Sequence, residues 1–116
     1  MVLESHDPTV TDGDLYSVLF ENDRVRVLEY RDAPGDRTHP HRHPESVMVT
    51  LSAIRRRVSS GGRTAEVDLP AGTARWLGAQ EHTGENIGDA PSHAIFVELK
   101  GEPSGVDGST LGPGAP

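Results

Sequence analysis

Apolar and polar positions alternate along the middle of the chain in short runs separated by turn-forming residues. Tyr16 to Phe20 is the first such run, and Arg24 to Arg31 (RVRVLEYR) alternates for most of its length. Asp32-Ala33-Pro34-Gly35-Asp36 then breaks the chain. Ser46 to Val58 is rich in β-branched residues and reads as one long strand. Ser59-Ser60-Gly61-Gly62 is a hairpin turn signal, and Arg63 to Leu69 returns from it. Pro70-Ala71-Gly72 turns into a strand at Thr73 to Leu77; Asn86-Ile87-Gly88-Asp89 turns into the last one, His93 to Lys100. No segment carries the 3.6-residue periodicity of an amphipathic helix. Short, evenly spaced strands with Gly/Pro turns predict an all-β sandwich or barrel.

The two ends read differently. Residues 1–14 are polar and acidic and are expected to form a flexible arm; residues 101–116 (GEPSGVDGSTLGPGAP) have almost nothing to bury and are expected to be a disordered tail. The barrel is expected over residues 15–100. These polar ends account for part of the low hydrophobic content, 34% of 116 residues.

Charge narrows the partners. The formal net charge of −7 repels a phosphate backbone, so nucleic acid is not an expected partner, whereas a small anion can still meet a local positive site. The chain has no cysteine, which excludes disulfides, thiolate metal sites and cysteine nucleophiles. The N-terminal segment lacks the basic and apolar regions of a signal peptide, and no apolar stretch approaches the ~20 residues of a membrane span. A cytoplasmic protein with no membrane partner is the expectation.

The segment His39-Pro40-His41-Arg42-His43 carries the most chemistry. Residues two apart on a strand point to one face, so His41 and His43 aim together and could share a metal ion. A lone His-x-His on a strand is also found as a plain surface or core pair. A third imidazole would have to come from His6, His39, His82 or His93.

Beyond spacing, the segments resemble the two motifs of the cupin superfamily. Gly35, His41 and His43 match the opening of its first motif, G-x5-H-x-H-x3–4-E-x6-G. Gly72, His82 and Asn86 match a form of the second, G-x5-P-x-G-x-x-H-x3-N, that is one residue shorter before the histidine. The stretches ENDRVRVLEYRDAPG and ENIGDAPSHAIFVELK also resemble small single-domain cupins. The resemblance implies a double-stranded β-helix, a jelly-roll barrel of two packed sheets. It implies His41, His43 and His82 as ligands of one divalent metal ion, Fe(II) favoured, with Mn, Ni, Cu or Zn as alternatives. It also implies a homodimer. The departures are informative. Val47 or Met48 stands where the motif glutamate belongs, and Gly78 and Gln80 replace the Pro and Gly before the second-motif histidine. The site therefore resembles three-histidine cupins, some of which are thiol or diketone dioxygenases.

Other residues carry weaker signals. Glu45 shares the strand parity of His41 and His43 and is a possible substitute ligand, although an exposed loop acid is the commoner case. Gln80 and Glu81 flank His82, and Glu98 sits in the last strand; these three are the candidate catalytic residues. Arg75, Trp76 and His39 are candidate substrate contacts, His39 in a rim or ligand-supporting role. Arg55 and Arg57 share one face, read as a solvated face or as a carboxylate clamp. Two function classes follow: a metal-dependent enzyme (dioxygenase-like, or an isomerase or lyase) acting on a small organic molecule, or a non-catalytic cupin that binds or senses one.

Overall fold

In the computed structural model, residues 6–102 and 110–114 are described. Nine strands form two antiparallel sheets. The first sheet runs β1-β2-β9-β4-β7 and the second β3-β8-β5-β6, with β1 Tyr16–Glu21, β2 Val25–Asp32, β3 His41–His43, β4 Ser46–Thr50, β5 Ile54–Ser60, β6 Arg63–Leu69, β7 Ala74–Leu77, β8 Gln80–Asn86 and β9 Ser92–Leu99. This is an all-β barrel, as the strand spacing predicts, with the double-stranded β-helix architecture that the motif resemblance implies.

Strict alternation builds the inner faces. Leu28, Tyr30 and Asp32 of β2 are buried in register with Phe96, Ala94 and Ser92 of β9, and Ser46, Met48 and Thr50 of β4 continue the same layer. The apolar core joins these residues to Tyr16, Ile54 and Leu77. The hairpin between β5 and β6 turns at Gly61 and Gly62, whose φ values of 54° and 82° suit a two-residue turn that L side chains resist.

Three expectations are corrected. The run from Ser46 to Val58 is two strands, because the chain leaves the first sheet after Thr50 and enters the second at Ile54. The bend is fixed by the Leu51 and Ser52 N–H groups donating to the His93 carbonyl at 2.8 and 3.2 Å. His82 lies within β8, a strand that the run of apolar and polar positions did not predict. Residues 6–14 are not a free arm. Pro8–Thr11 form one helical turn, α1, capped by the Asp7 side chain. The His6 carbonyl accepts from Arg42 N on the edge of β3, and Asp12 is buried against His39. A sheet edge needs partners for its N–H groups, and the chain supplies one itself.

The C-terminal segment behaves similarly where it is described. Gly114 N donates to the Trp76 carbonyl, Gly112 packs on Val58 and Val67, and Thr110 O accepts from Gln80. The disorder expected for residues 103–109 and 115–116 lies outside the described residues. Among the described residues no helix is long and apolar enough to cross a membrane.

Candidate metal centre and its cavity

β3 and β8 pair so that His41 stands directly opposite His82, with His43 two residues along on the same face. One nitrogen from each ring lies within 4.8 Å of the others, and all three residues are buried. The ring centroids are 4.7 to 5.1 Å apart. Metal–imidazole bonds of about 2.0–2.1 Å place ligand nitrogens roughly 3–4 Å apart, so a modest contraction converts this cluster into a coordination site.

Hydrogen bonds settle which nitrogens are available. His41 Nδ1 lies 2.8 Å from the His39 carbonyl, which can only accept, so Nδ1 carries the proton and Nε2 keeps its lone pair. His82 Nδ1 donates to Gln80 Oε1 at 2.7 Å, leaving its Nε2 lone pair likewise. The Gln80 orientation is fixed in turn: its Nε2 donates to Gly78 O and Thr110 O, and its Oε1 accepts from Gly112 N. His43 Nδ1 lies 3.6 Å from Glu98 Oε2, and the ring stacks on Phe96 at 5.0 Å. Such carbonyl, amide and carboxylate neighbours are the groups that commonly orient metal-bound histidines.

The inner nitrogens are unsatisfied. His41 Nε2 and both His43 nitrogens are buried with no hydrogen-bond partner. Leaving a buried acceptor unpaired costs about 1–3 kcal/mol, so three imidazoles arranged this way fit a shared cation. Burial, reinforced by the neighbouring imidazoles, pushes the His43 ring down to about 3 and the His82 ring to about 2; burial also lowers His41. The rings are thus neutral and able to ligate at any physiological pH.

His41 and His82 face a cavity of about 40 Å³ inside the barrel. Its walls are mostly apolar and aromatic, including Tyr16, Met48, Leu77 and Phe96, and Pro113 of the C-terminal segment also lines it. Burial pushes the Tyr16 and Tyr30 hydroxyls up, so both remain protonated donors. The lining contains no carboxylate.

Arg56 is the functional residue that the sequence reading missed. It enters the same cavity from β5, with a side chain only 13% exposed. Its Nη1 donates to Asp32 Oδ2 at 2.6 Å, and the guanidinium lies 4.9 Å from the Tyr30 ring centroid. The signal was present: Ile54 and Val58 are apolar and share the parity of Arg56, so a strand with those two inward must bring Arg56 inward too. Arg55 and Arg57 point out, and Arg57 meets Glu66 and Glu85 at the surface, so the clamp reading of that face does not hold.

The other candidates separate. Gln80 supports His82. Glu81 faces outward towards His6 and Arg42. Glu98 is buried, gives Oε1 to Arg26 at 2.7 Å and turns Oε2 towards His43; burial raises its carboxyl and Arg26 opposes this. The His39 ring is 76% exposed and paired with Asp12, so the residue acts on the site through its carbonyl. Arg75 sits on the edge strand with Nη1 on the Ala74 carbonyl, and Trp76 pairs with Val47 rather than with the inner layer; neither lines the cavity. Glu45 is buried but is not one of the converging ligand groups.

No family model and no curated protein matches the chain. Solved structures do. A cupin domain from Bordetella pertussis Tohama I superimposes with a TM-score of 0.70 at 26% identity, over 75% of this chain and 93% of that one. A Cupin 2 conserved barrel domain protein from Salinispora arenicola gives 0.56 at 21% identity, over 84% and 87%. The polyketide cyclase RemF from Streptomyces resistomycificus gives 0.55 at 22% identity, over 72% of this chain and 63% of that one. With the two-sheet topology and these neighbours together, the chain is a cupin in fold, a double-stranded β-helix carrying a three-histidine group inside its barrel.

Proposed function

We propose that the protein is a metal-dependent cupin enzyme that holds one divalent ion through His41, His43 and His82 and acts on a small organic molecule in the adjoining cavity. The observation that carries this reading is the convergence of three neutral imidazoles, two of which, His41 and His43, keep buried nitrogens with no hydrogen-bond partner among the described residues. A divalent ion there would supply Lewis acidity and, if it is iron, redox chemistry with oxygen. Three neutral ligands leave its double charge intact, which favours an anionic or enolate-like molecule beside it. Fe(II) is the favoured ion and oxygenase-like chemistry the favoured reaction; isomerisation or elimination uses the same Lewis acidity.

The protein's own groups position. The His39 carbonyl and the Gln80 amide set the His41 and His82 rings, and Phe96 stacks on the His43 ring. Tyr16 offers a protonated hydroxyl, whereas that of Tyr30 is spent on Asp32, and the cavity walls are mostly apolar. The lack of a carboxylate in the lining favours the second reading, a binding or sensing protein with no turnover.

Elemental analysis of untagged protein tests the site, with a His41→Ala/His82→Ala double variant as control. About one equivalent of metal in the wild type, lost in the variant, is expected. No metal in either, even after reconstitution, overturns the reading. Oxygen uptake by iron-loaded protein with thiols, diketones and organic acids separates the enzyme from the binding protein. A homodimer across the β1 edge is part of the proposal, supported by the exposure of Val18, Leu19 and Phe20 there; a monomeric mass in solution overturns it.

A further inference from the structure

We infer that Arg56 is the anchor for a carboxylate on the ligand of this cavity, so that the molecule taken up is a small organic acid with an apolar body. The inference deepens the reading of the cavity as a ligand site and rests on it.

An arginine inside a barrel of this size needs explanation, because burying an ion is costly unless it is fully paired. Asp32 is the obvious partner, and the two groups are unequally satisfied. The Asp32 carboxylate is saturated. Oδ2 accepts from Arg56 and from the Tyr30 hydroxyl, and Oδ1 accepts from Asn86 Nδ2 at 2.9 Å and from Ser92 N at 3.1 Å. Asn86 is itself held by Ala90 O and Gly88 N. Four donors thus share one acceptor group, and Asp32 is a fixed post.

Arg56 is not saturated. A guanidinium has five N–H donors, and among the described residues only Nη1 makes a hydrogen bond to the protein. The pair is single-pronged, whereas a purely structural Arg–carboxylate pair is usually two-pronged. The free edge is also given room. Gly84 lies beside it on β8, and a Cβ there would stand 2.5 Å from Arg56 Nη2. Gly84 has an ordinary φ, so the missing side chain serves the guanidinium and not a turn.

Position completes the argument. Arg56 lines the same cavity as His41 and His82. Tyr16, Met48 and Phe96 line it too and accept hydrocarbon. A positively charged fork with unspent N–H groups in an apolar-walled cavity selects a planar oxyanion, and the commonest such group on a small apolar molecule is a carboxylate.

The test is calorimetric titration of metal-free and metal-loaded protein with acetate and propionate, acids small enough for a cavity of this size, using acetamide and propionamide as neutral analogues of matched shape. The metal-free protein is included because Arg56 does not depend on the ion. Saturable binding of at least one acid, with no binding of its amide, is expected in both forms. An Arg56→Met/Asp32→Asn double variant removes the charge without leaving Asp32 unpaired. It should bind the acid roughly ten-fold to a hundred-fold more weakly, the worth of a charged hydrogen bond or two. Arg56→Lys keeps the charge and the Asp32 pairing but loses the fork; it should lie between the two, and it serves if the double variant does not fold. The inference is overturned if neither acid binds the metal-free protein, if the amides bind equally well, or if the variants bind like wild type. Metal content, measured on the same samples, reports on the three-histidine reading separately: loss of metal with acid binding retained would sink that reading alone.

Discussion

The neutral histidine cluster predicts a steep loss of stability in mild acid when no metal is bound. His41, His43 and His82 have an ordinary pKa of 6.5 in the unfolded chain, and burial holds all three below it in the fold, His43 at about 3 and His82 at about 2. Above about pH 7 the rings are neutral in both states and the shift costs nothing. As the pH falls through 6.5 the unfolded chain takes up protons that the folded chain refuses, so stability falls by about 1.4 kcal/mol per pH unit for each of His43 and His82. At about pH 5.5 the loss is roughly 3 kcal/mol for these two rings, a large share of the 5–15 kcal/mol of a typical domain, and His41 adds to it in the same direction. Asp7, Glu29 and Asp32 do not interfere, being lowered from values already below this window, whereas Glu98, raised by burial, takes up a proton more readily in the fold and opposes the loss at the acid end, so the measurement is made in a Glu98→Gln background as well. His39 runs the other way: Asp12 raises it, so its contribution is complete below 6.5 and fades above its folded pKa. A His39→Asn background removes that contribution. Urea unfolding followed by the fluorescence of Trp76, in chelator, from about pH 7.5 to about pH 5.5 measures the slope. A stability flat to within about 1 kcal/mol across that range would refute the reasoning, because it would mean that the folded cluster accepts protons as readily as the unfolded chain.

Further expectations follow from single contacts. Asp32→Ala strands the buried Arg56 guanidinium and should cost about 3–5 kcal/mol by chemical denaturation, much of it recovered when Arg56→Met is added. Gln80→Ala removes the acceptor that orients His82; metal affinity measured by competition with a chelator should fall about 10- to 100-fold, with little change in the melting temperature of the metal-free protein. Gly84→Ala drives a methyl into Arg56 Nη2 and should destabilise by about 1–3 kcal/mol, a cost that disappears in the Arg56→Met/Asp32→Asn background. Gly35→Ala forces an L residue to φ 86° and should cost about 1–2 kcal/mol with the cavity untouched.

The strands were legible because inward and outward positions alternate with little interruption, and the turns because Gly61-Gly62 and Gly72 stand where positive φ is required. The break after Thr50 was not, since β-propensity is the same on both sides of it and the reason for it is a change of sheet. The contacts that the described parts of the arm and the tail make with the barrel were not legible either. Composition reports what a segment can bury by itself, whereas His6, Asp12, Gly112 and Gly114 are held by backbone groups and side chains of the barrel that composition does not see. At the site, strand parity brought His41 and His43 together, and the motif resemblance supplied His82 from a strand 40 residues away in the chain. Asp32 and Asn86 were read as turn residues, but they are the buried frame on which Arg56 rests.

The layout of the barrel bears on which chemistry it can support. The three histidines enter from β3 and β8 of the second sheet, whereas the fixed post, Asp32, and its brace, Ser92, stand on β2 and β9 of the first. Arg56 starts on the second sheet and reaches across to the first, so a single side chain ties the two sheets together through the cavity. On the proposed reading, a ligand gripped by Arg56 would lie in the cavity that His41 and His82 also line, with Tyr16, Tyr30 and Phe96 in its walls. Two-point binding of that kind fixes which atom of the ligand meets the metal site, and orientation is worth more to a small substrate than affinity because little else restrains it. On the proposed reading, selectivity would need no carboxylate base in the lining: Arg56 on β5 and His41 and His43 on β3 flank β8, which carries His82, so the spacing between the cation and the imidazoles is set by strand register and not by a mobile loop.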